Sequence, residues 1–371
     1  MVFVGNGDAL FSREKMVGYS EMEKTRYLFA LYLIDKRISS AYTLLYRSKA
    51  QLHSTIIVRK DMWQVALKAP SGVKYQEWDQ ETSQWQKGSD INDWFQKQLA
   101  SGDAPWTSWI LFNDEPPSDD PKEVGADPEG SAHAKGAVCW NDTQLIYLLH
   151  SVPKFPMRDE AHANTFVPKR IPDAETIYGQ SFCSLLLPIE QLDVLFTHLH
   201  LDDPLVYERN DPAHKWGKRT RLPAGSDLIT HVEEFYKCPD DSDACAVTID
   251  LISKSAKWNQ CLFADYISSH YGPLLCETWG RSWRSNTDTA IAAQEVTWKD
   301  GTSYHSSQDH SKWACSSEEN GAWCGVFDGN FMTSQKKRGF GGVIIHCKPL
   351  ADSFKKMVTS TLRTSTPIKS K

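Results

Sequence analysis

The feature that most constrains this chain is a short pattern, His-x-Lys, that occurs in both halves of the sequence. It stands at His133-Ala134-Lys135 and again at His310-Ser311-Lys312. On a β-strand, residues two apart point to the same face and lie about 6–7 Å apart, so each pattern would present an imidazole and an ammonium side by side. The chain must therefore fold so that two distant strands can face one ligand.

A phosphodiester is the ligand that such a pair suits. A lysine can hold a non-bridging phosphate oxygen as a point charge, and a histidine can attack phosphorus or protonate the leaving oxygen. Two such strands would supply a nucleophile, an acid and two cations. The pattern alone is weak, because composition predicts about one His-x-Lys by chance and the chain holds three. We interpret the third, His346-Cys347-Lys348, as accidental.

The sequences around the other two patterns separate them from chance. His133-Ala-Lys-Gly136 runs into Ala137-Val-Cys-Trp140, and His310-Ser-Lys-Trp313 precedes Trp323-Cys-Gly-Val-Phe-Asp-Gly-Asn330. These strings resemble the deoxyribonuclease II family, acid endonucleases built on the phospholipase D fold. Further similar strings are Trp109-Ile-Leu-Phe-Asn-Asp-Glu-Pro-Pro117, Tyr178-Gly-Gln180 and Arg338-Gly-Phe-Gly-Gly342, so the resemblance spans roughly residues 61–358.

The resemblance implies two phospholipase D-like lobes related by a pseudo-twofold, with the active site between them. Strand-like runs alternate with helical spacings in both halves, which independently predicts an α/β, mixed α+β class. We expect each lobe to hold a mixed β-sheet flanked by helices. The predicted N-terminal lobe comprises residues 61–205 and the C-terminal lobe residues 206–371, each with one His-x-Lys.

Residues 1–60 match nothing in this resemblance. Two interpretations stay open: a helix packed on the domain, suggested by the apolar run at residues 28–34, or a mis-assembled first exon. No signal peptide is visible, although the resemblance implies a lysosomal or secreted protein. We expect no membrane span, because the run at residues 28–34 is far shorter than a transmembrane helix requires.

The resemblance also implies a mechanism. His133, Lys135, His310 and Lys312 match the two histidine–lysine pairs of the family, and analogy with the superfamily makes His133 the nucleophile and His310 the general acid. The residues alone do not decide between the two histidines. The expected substrate is DNA, cut through a phosphohistidine intermediate to leave 3′-phosphate ends. We expect no metal ion and no other cofactor, and both a monomer and a homodimer stay open.

Four further residues are predicted to support the site. His150 aligns with a histidine that the family places beside the site, although a buried histidine bonded to backbone is the plain alternative. Asn141 stands where the superfamily has an acidic residue, and an asparagine can orient an imidazole but cannot stabilise its charge. Asn330 matches a polar contact of the second lobe. Asp309 could orient an imidazole, but on a strand its side chain would point to the opposite face.

The net charge of −6 argues against a nucleic-acid ligand at neutral pH, but protonating all 12 histidines would bring it to +6. An enzyme of an acidic compartment could therefore meet DNA as a cation. The basic run Lys215-Trp-Gly-Lys218-Arg219-Thr-Arg221 could follow a DNA backbone, although such runs are usually solvated surface.

Nine cysteines suggest an oxidising compartment, and the odd number leaves at least one unpaired. The resemblance implies a bridge between Cys324 and Cys347. Two further candidate pairs follow from position along the chain: Cys238 with Cys245, and Cys261 with Cys276.

Three rival interpretations remain at this point. The first is a catalytically silent homologue, secreted as an immunomodulatory factor that binds nucleic acid or a host protein; Asn141 and the unmatched N-terminus favour it. The second is a zinc site built from His133, His150, His310 and nearby cysteines. The third is hydrolysis of lipid phosphodiesters within the same superfamily.

Overall fold

The computed structural model describes residues 2–3, 9–11, 62–117, 132–159, 166–216, 229–237, 247–279 and 287–362. The chain forms two compact units, Met1–Arg59 and Lys60–Lys371. In the first unit, strands β1 (Val2–Phe3) and β2 (Ala9–Phe11) pair antiparallel. The apolar run at residues 28–34 lies outside the described residues.

The second unit begins with an eight-stranded sheet in the order β10-β6-β7-β8-β9-β3-β4-β5. Each of its described strand pairs is antiparallel. Helices α1 (Ile91–Leu99) and α2 (Leu192–Asp202) accompany it. Its strands are β3 (Trp63–Lys68), β4 (Tyr75–Asp79), β5 (Gln84–Gly88), β6 (Ser108–Asn113), β7 (Lys135–Trp140), β8 (Gln144–His150), β9 (Gln180–Pro188) and β10 (Val206–Asn210).

A nine-stranded sheet follows, in the order β11-β12-β18-β17-β16-β13-β14-β15, with β19 paired to β14. Its pair β13–β14 is parallel. Helices α3 (Ser268–Tyr271) and α4 (Lys348–Met357) belong to this half. Its strands are β11 (Ile229–Lys237), β12 (Thr248–Lys254), β13 (Leu274–Glu277), β14 (Ala290–Thr297), β15 (Ser303–His305), β16 (Trp313–Ser316), β17 (Trp323–Phe327), β18 (Phe340–His346) and β19 (Val358–Thr361).

The two sheets share one strand order. In the first sheet the consecutive neighbours are β6-β7-β8-β9-β3, and in the second they are β13-β16-β17-β18-β12. In each set the strand that comes first along the chain pairs with the one that comes last, so one topology occurs twice. Counted along the chain, β7 is the third strand of the first set and β16 the third strand of the second. Lys135 begins β7, and Lys312 immediately precedes β16. The two His-x-Lys patterns therefore occupy equivalent places.

Side chains alternate between the two faces of the first sheet, and apolar residues are buried on both faces. On β8, Leu145, Tyr147 and Leu149 join one apolar cluster, while Ile146 and Leu148 join another. The first of these clusters also contains residues of β12 and β18, so both sheets share it. A strand buried on both faces reads as an almost continuous apolar run, which is the character of β8 in the sequence.

Two helices lie between the sheets and connect them. Phe196 of α2 packs edge-on against Trp140, with ring centroids 5.5 Å apart, and α2 also contacts β12 and β18. Phe354 of α4 packs against Trp85 of the first sheet and Trp313 of the second, at 5.5 and 4.7 Å. Trp313 follows Lys312 directly, so this packing helps to place the second pattern.

The predicted class, mixed α and β with two large sheets and few helices, is confirmed for the described residues. The expected mixed sheet is found in the second half only, because the described pairs of the first sheet are all antiparallel. The lobe boundary between residues 205 and 206 stays a prediction, and β10, just beyond it, still belongs to the first sheet. No helix in the described part of the chain is long and apolar enough to cross a membrane.

Candidate active site

The first His-x-Lys lies at the start of a strand rather than within it. Strand β7 begins at Lys135, so His133 precedes the strand. The backbone N–H of His133 donates to Gly339 O (2.8 Å), and the backbone N–H of Lys135 donates to Asp328 Oδ1 (3.2 Å). Both acceptors belong to the second half of the chain, which therefore fixes the first pattern.

The imidazole of His133 is held in one tautomer. Its Nδ1 donates to Gln335 Oε1 at 2.6 Å, since an amide oxygen can only accept, and Nε2 keeps its lone pair. Burial lowers the pKa of His133 well below its usual range, and the charges of Lys135 and Lys312 act in the same direction, although Asp114 opposes them. The lowered pKa favours the neutral ring, which carries its proton on Nδ1 and its lone pair on Nε2.

A buried carboxylate, Asp114, joins the cations around His133. Lys135 Nζ donates to Asp114 Oδ1, and Arg338 Nη2 donates to Asp114 Oδ2 at 2.9 Å. His133 Nε2 lies 3.8 Å from the same Oδ2. Burial alone would raise the pKa of Asp114, but the charge of Lys135, together with that of Arg338, holds it well below its usual range. Two cations that can bind an anionic oxygen, Lys135 and Arg338, therefore converge on one ionised carboxylate.

The second pattern is fixed in the reverse direction. His310 precedes strand β16, and its backbone N–H donates to Gly179 O at 2.8 Å. The backbone N–H of Lys312 donates to Ser181 Oγ (2.9 Å), and Lys312 Nζ donates to His310 O (2.8 Å). Because Gly179 and Ser181 belong to the first half, each half of the chain fixes the pattern carried by the other.

Two aromatic rings hold the imidazole of His310. Tyr178 stacks on it, with centroids 4.1 Å apart and planes 9° apart. Trp279 meets it at 4.6 Å and 60°. The half-buried His310 ring is therefore restricted in orientation. A fixed ring orientation suits an acid that must direct its proton to a leaving oxygen.

The lysines of the two patterns lie close enough to repel each other. Burial, followed by the charge of Lys135, lowers the pKa of Lys312 to about 7. The charge of Lys312 also acts on His133. The structure thus places the two patterns at one site, where buried ammonium groups favour an anion. Within the described stretches, no group of three or more histidine, cysteine or acidic residues is arranged to hold a metal ion.

His150 is buried beside these lysines. Its Nδ1 accepts the backbone N–H of Val152 (3.2 Å), and Phe155 packs against its ring at 5.3 Å. Burial, then the charges of Lys135 and Lys312, lowers the pKa of His150 to about 3, so the ring is neutral at any ordinary acid pH. A neutral ring that accepts at Nδ1 carries its proton on Nε2, which has no hydrogen-bond partner among the described residues.

Asn141 lies at the opposite end of β7 from Lys135. The strand covers Lys135–Trp140, a length of about 20 Å at the usual rise per residue. Asn141 Oδ1 accepts the N–H groups of Thr143 and Gln144, both at 3.0 Å, and so closes the turn between β7 and β8. The structure does not bring Asn141 to the histidines, and turn formation accounts for an asparagine at this position.

Asp328 and Asn330 follow β17, and Asp328 is the one bonded to the first pattern. Its Oδ1 accepts the backbone N–H of Lys135, and burial raises its pKa well above the usual range. Asn330 is the residue of this segment that the sequence predicts to contact the site. Asn330 is buried, and its Oδ1 has no hydrogen-bond partner among the described residues, so its predicted contact within the site remains a prediction.

Asp309 is fully buried where the halves meet, and it bonds to no imidazole in the described structure. Its Oδ1 accepts the backbone N–H of Ser311 (2.9 Å), whereas its Oδ2 has no partner among the described residues. Burial raises the pKa of Asp309 to about 6, against a usual 3.8. The folded state therefore holds this proton more tightly than the unfolded state.

Asp309→Asn is expected to remove a pH-dependent loss of stability. The stabilisation from the bound proton is complete below the unfolded pKa and is lost as pH rises through about 6, which amounts to about 3 kcal/mol for the shift given. Urea unfolding at pH 4 and pH 7.5 should show wild type losing most of that amount, about 2.4 kcal/mol, relative to the variant. Asp142→Asn, an exposed carboxylate, is the matched control; equal pH slopes for wild type and Asp309→Asn would contradict the account.

The basic run and the cysteines are only partly described. Lys215 follows β10, and its backbone N–H donates to Asp211 Oδ1 (2.9 Å). Cys261 and Cys324 are thiols, so neither the Cys261–Cys276 nor the Cys324–Cys347 bridge is formed in the structure. Burial, then Cys347, raises the pKa of the Cys324 thiol, so the predicted partners lie near each other. The remaining candidates lie outside the described residues: Lys218, Arg219, Arg221, Cys238 and Cys245.

Four side chains of this site could not be predicted as site residues from the sequence. Asp114, Tyr178 and Arg338 lie in strings that resemble the family, but no residue type in those strings singles them out. Gln335 lies outside those strings altogether. Their importance comes from the partners that the fold gives them, Lys135, His310 and His133, and not from local spacing.

Comparison with known proteins identifies one family. A family model described as Deoxyribonuclease II matches residues 61–363. Cell-death-related nuclease 7 of Caenorhabditis elegans is 28% identical over 312 residues, 78% of this chain and 81% of that protein. Deoxyribonuclease-2-alpha of Mus musculus is 24% identical over 311 residues, 78% of this chain and 84% of that protein. Plancitoxin-1 of Acanthaster planci is 26% identical over 247 residues, 64% of this chain, and the match spans 65% of plancitoxin-1.

Proposed function

Since the chain belongs to the deoxyribonuclease II family, we propose that it is an endonuclease that hydrolyses DNA at acid pH without a metal ion and leaves 3′-phosphate ends. The observation that carries the proposal is the state of His133. Its Nδ1 proton is donated to Gln335, burial and the charges of Lys135 and Lys312 lower its pKa, and its Nε2 lies 3.8 Å from Asp114 Oδ2 without the proton. A nucleophile of this kind remains unprotonated at the pH where a second histidine can act as an acid.

In the first step, Nε2 of His133 attacks phosphorus while the bond from phosphorus to the 5′-oxygen breaks. The departing oxygen takes a proton from the imidazolium of His310, so a phosphohistidine and a free 5′-hydroxyl result. In the second step, His310 takes a proton from water as the water oxygen attacks phosphorus. The nitrogen–phosphorus bond then breaks, which releases the 3′-phosphate and returns both histidines to their starting states.

The cations stabilise the charge that develops on the phosphoryl oxygens. Lys135 and Lys312 come from opposite halves of the site, and the electrostatic repulsion between them is relieved when an anion binds. His150, neutral and with a proton on Nε2, can donate a further hydrogen bond to the phosphate. Asp114 holds Lys135 and Arg338 in place before DNA arrives.

The rival interpretation of a catalytically silent homologue loses one of its two supports. It depended on Asn141 as a weakened catalytic position, and Asn141 instead closes the turn between β7 and β8. The other support, residues 1–60, lies almost entirely outside the described residues. Catalysis therefore has the stronger case, and an assay separates the two.

Nicking of supercoiled plasmid from pH 4 to 8, with and without EDTA, tests the proposal. We expect the highest rate at acid pH and no effect of EDTA, because a protonated histidine must supply the proton and no step uses a metal ion. The product ends should resist extension by a polymerase until a phosphatase removes the 3′-phosphate. His133→Ala from the same purification controls for a contaminating nuclease. Dependence on one divalent ion, or 5′-phosphate ends, would replace this mechanism by another.

A further inference from the structure

Two buried lysines occupy equivalent positions in the repeated topology. Lys68 is the last residue of β3, and Lys254 is the last residue of β12. Along the chain, β3 and β12 are the first strands of the two five-strand sets. Both residues are fully buried, with no exposed surface. Neither takes part in the mechanism described above, so their burial calls for another reason.

Lys68 binds backbone carbonyls of two short segments, the turn after β3 and residues 176–178. Its Nζ donates to Thr176 O (2.8 Å) and Tyr178 O (2.6 Å), and also to Ala69 O (3.0 Å) and Gly72 O (2.8 Å). We call residues 176–179 the first strap. An ammonium has three N–H donors, so these carbonyls satisfy it without a directly bonded carboxylate.

Lys254 does the same for a second segment. Its Nζ donates to Gln335 O (3.4 Å), Lys336 O (3.1 Å) and Arg338 O. We call residues 335–339 the second strap. Each strap ends in a glycine, Gly179 or Gly339, that directly precedes the last strand of its five-strand set, β9 or β18.

Each strap contacts the histidine of the opposite half. In the first strap, Tyr178 stacks on the His310 ring and Gly179 O accepts the His310 backbone N–H. Gly179 also donates its own N–H to Gln308 O (2.9 Å), and a β-bridge joins it to Asp309.

The second strap contacts His133 in the corresponding way. Gln335 accepts the proton of His133 Nδ1, and Gly339 O accepts the His133 backbone N–H. Arg338 donates to Asp114, which in turn holds Lys135. In each strap, therefore, the glycine carbonyl accepts from the backbone of the opposite histidine. The side chain just before the glycine contacts either that histidine, as Tyr178 does, or Asp114, as Arg338 does.

Neither strap can shift without disturbing these contacts. A Cβ on Gly179 would collide with the Asp309 side chain, and a Cβ on Gly339 would collide with the Asp202 backbone. The two halves therefore touch at backbone distance at both glycines. A buried ammonium that is hydrogen-bonded to several carbonyls fixes the position of the backbone directly. Side-chain packing alone would hold the backbone less rigidly.

We propose that Lys68 and Lys254 are a matched pair of positioning residues, each of which sets the strap of its own half and through it the catalytic histidine of the other half. The inference rests on the proposed function, because it assigns those histidines to catalysis. Burial lowers the pKa of both lysines only to about 8, so both remain charged at acid pH.

The test compares Lys68→Met and Lys254→Met with two exposed lysines, Lys74→Met in the first half and Lys356→Met in the second. Two readouts are taken: kcat and KM for DNA at pH 5, and the ring carbon signals of ¹³C-labelled histidines by NMR. Alanine variants at His133 and His310 assign the signals. The NMR readout does not require turnover, so it separates this inference from the proposed function.

We expect Lys254→Met to shift the His133 ring signal and leave that of His310, and Lys68→Met to do the reverse. Each should lower kcat by ~10- to 100-fold with KM nearly unchanged, since a small misplacement of a reacting group costs about this much. The two control variants should change neither readout. If the signals shift as expected but the protein cuts no DNA, the positioning inference is supported and the proposed function is rejected.

Three results would overturn the proposal. These are unchanged signals with normal kcat, a shift confined to the histidine of the same half, and equal shifts of both histidines in each variant. If a methionine variant does not fold, Lys68→Gln or Lys254→Gln, which keep two N–H donors, replace it. Failure of the glutamine variants to fold would make these lysines residues of general stability and would equally reject the positioning role.

Discussion

His133→Ala and His310→Ala are each expected to lower DNA cleavage at pH 5 by at least ~10²–10⁴-fold while the protein stays folded. General acid–base assistance accounts for a loss of that size, and loss of the nucleophile costs more, on the order of 10⁶-fold by comparison with other nucleophilic enzymes. The two histidines have different surroundings, since His133 is buried with a lowered pKa whereas His310 is half-buried and stacked on Tyr178. Neither can replace the other.

A substrate that needs no acid distinguishes the two roles. Nitrophenolate leaves a phosphodiester without a proton, so His310→Ala should form the phosphohistidine from a nitrophenyl ester and then hydrolyse it slowly. We expect a burst of nitrophenol equal to the enzyme concentration, together with a phosphorylated His133 peptide by mass spectrometry. His133→Ala should give neither. A burst from His133→Ala instead would exchange the two assignments, and His214→Ala, an exposed histidine, should behave as wild type.

The two patterns could be recognised in the sequence because each is a local signal, whereas their meeting at one site was implied only by the family resemblance. A His-x-Lys at the start of an apolar strand can be read without knowing its partners, and the apolar runs after it predict β7, β8, β16 and β17. What surrounds the patterns could not be read in this way. Gln335 follows His133 by some 200 positions, and only the contact of the second strap with the first half of the chain brings it to Nδ1.

Asn141 shows how the fold can separate a residue from the pattern that it follows in sequence. Its place in a superfamily motif predicts that it reaches the histidine. Strand β7 is extended, so a residue just past Trp140 lies at the far end of the strand from Lys135. An Asx turn was the simpler explanation of Asn141-Asp-Thr143, and the hydrogen bonds of its Oδ1 bear it out.

The straps could not be predicted for a related reason. Lys68 and Lys254 end strands whose alternation predicts burial, and a lysine in such a place usually indicates the end of the buried stretch. Here the ammonium is satisfied by carbonyls from a segment far along the chain, Thr176 and Tyr178 for Lys68. Backbone acceptors leave no trace in residue types, so the sequence offers no sign of the arrangement.

Lys312→Met is expected to lower kcat/KM for DNA by ~10²–10³-fold at pH 5, the usual cost of losing one group that stabilises developing charge. Its surroundings also predict a pH effect of definite sign. Because burial and the charge of Lys135 lower the pKa of Lys312 to about 7, this lysine is charged below that pH and neutral above it. Its charged fraction, and with it the phosphate contact, should fall about tenfold between pH 6 and pH 8.

Lys312→Arg isolates this effect, because a guanidinium keeps its charge over the whole range. DNA binding is measured in the inactive His133→Ala background, so that no turnover intervenes. Surface histidines lose charge equally in both proteins, and their contribution cancels in the comparison. We expect the affinity of the Lys312 protein to fall about tenfold more than that of Lys312→Arg between pH 6 and 8.

We expect Lys312→Met to reduce the slope of log affinity against log salt by ~0.7–0.9, the value for one phosphate contact. Identical pH dependence of the lysine and arginine proteins, or an unchanged salt slope, would show that Lys312 does not hold the phosphate as a titrating cation.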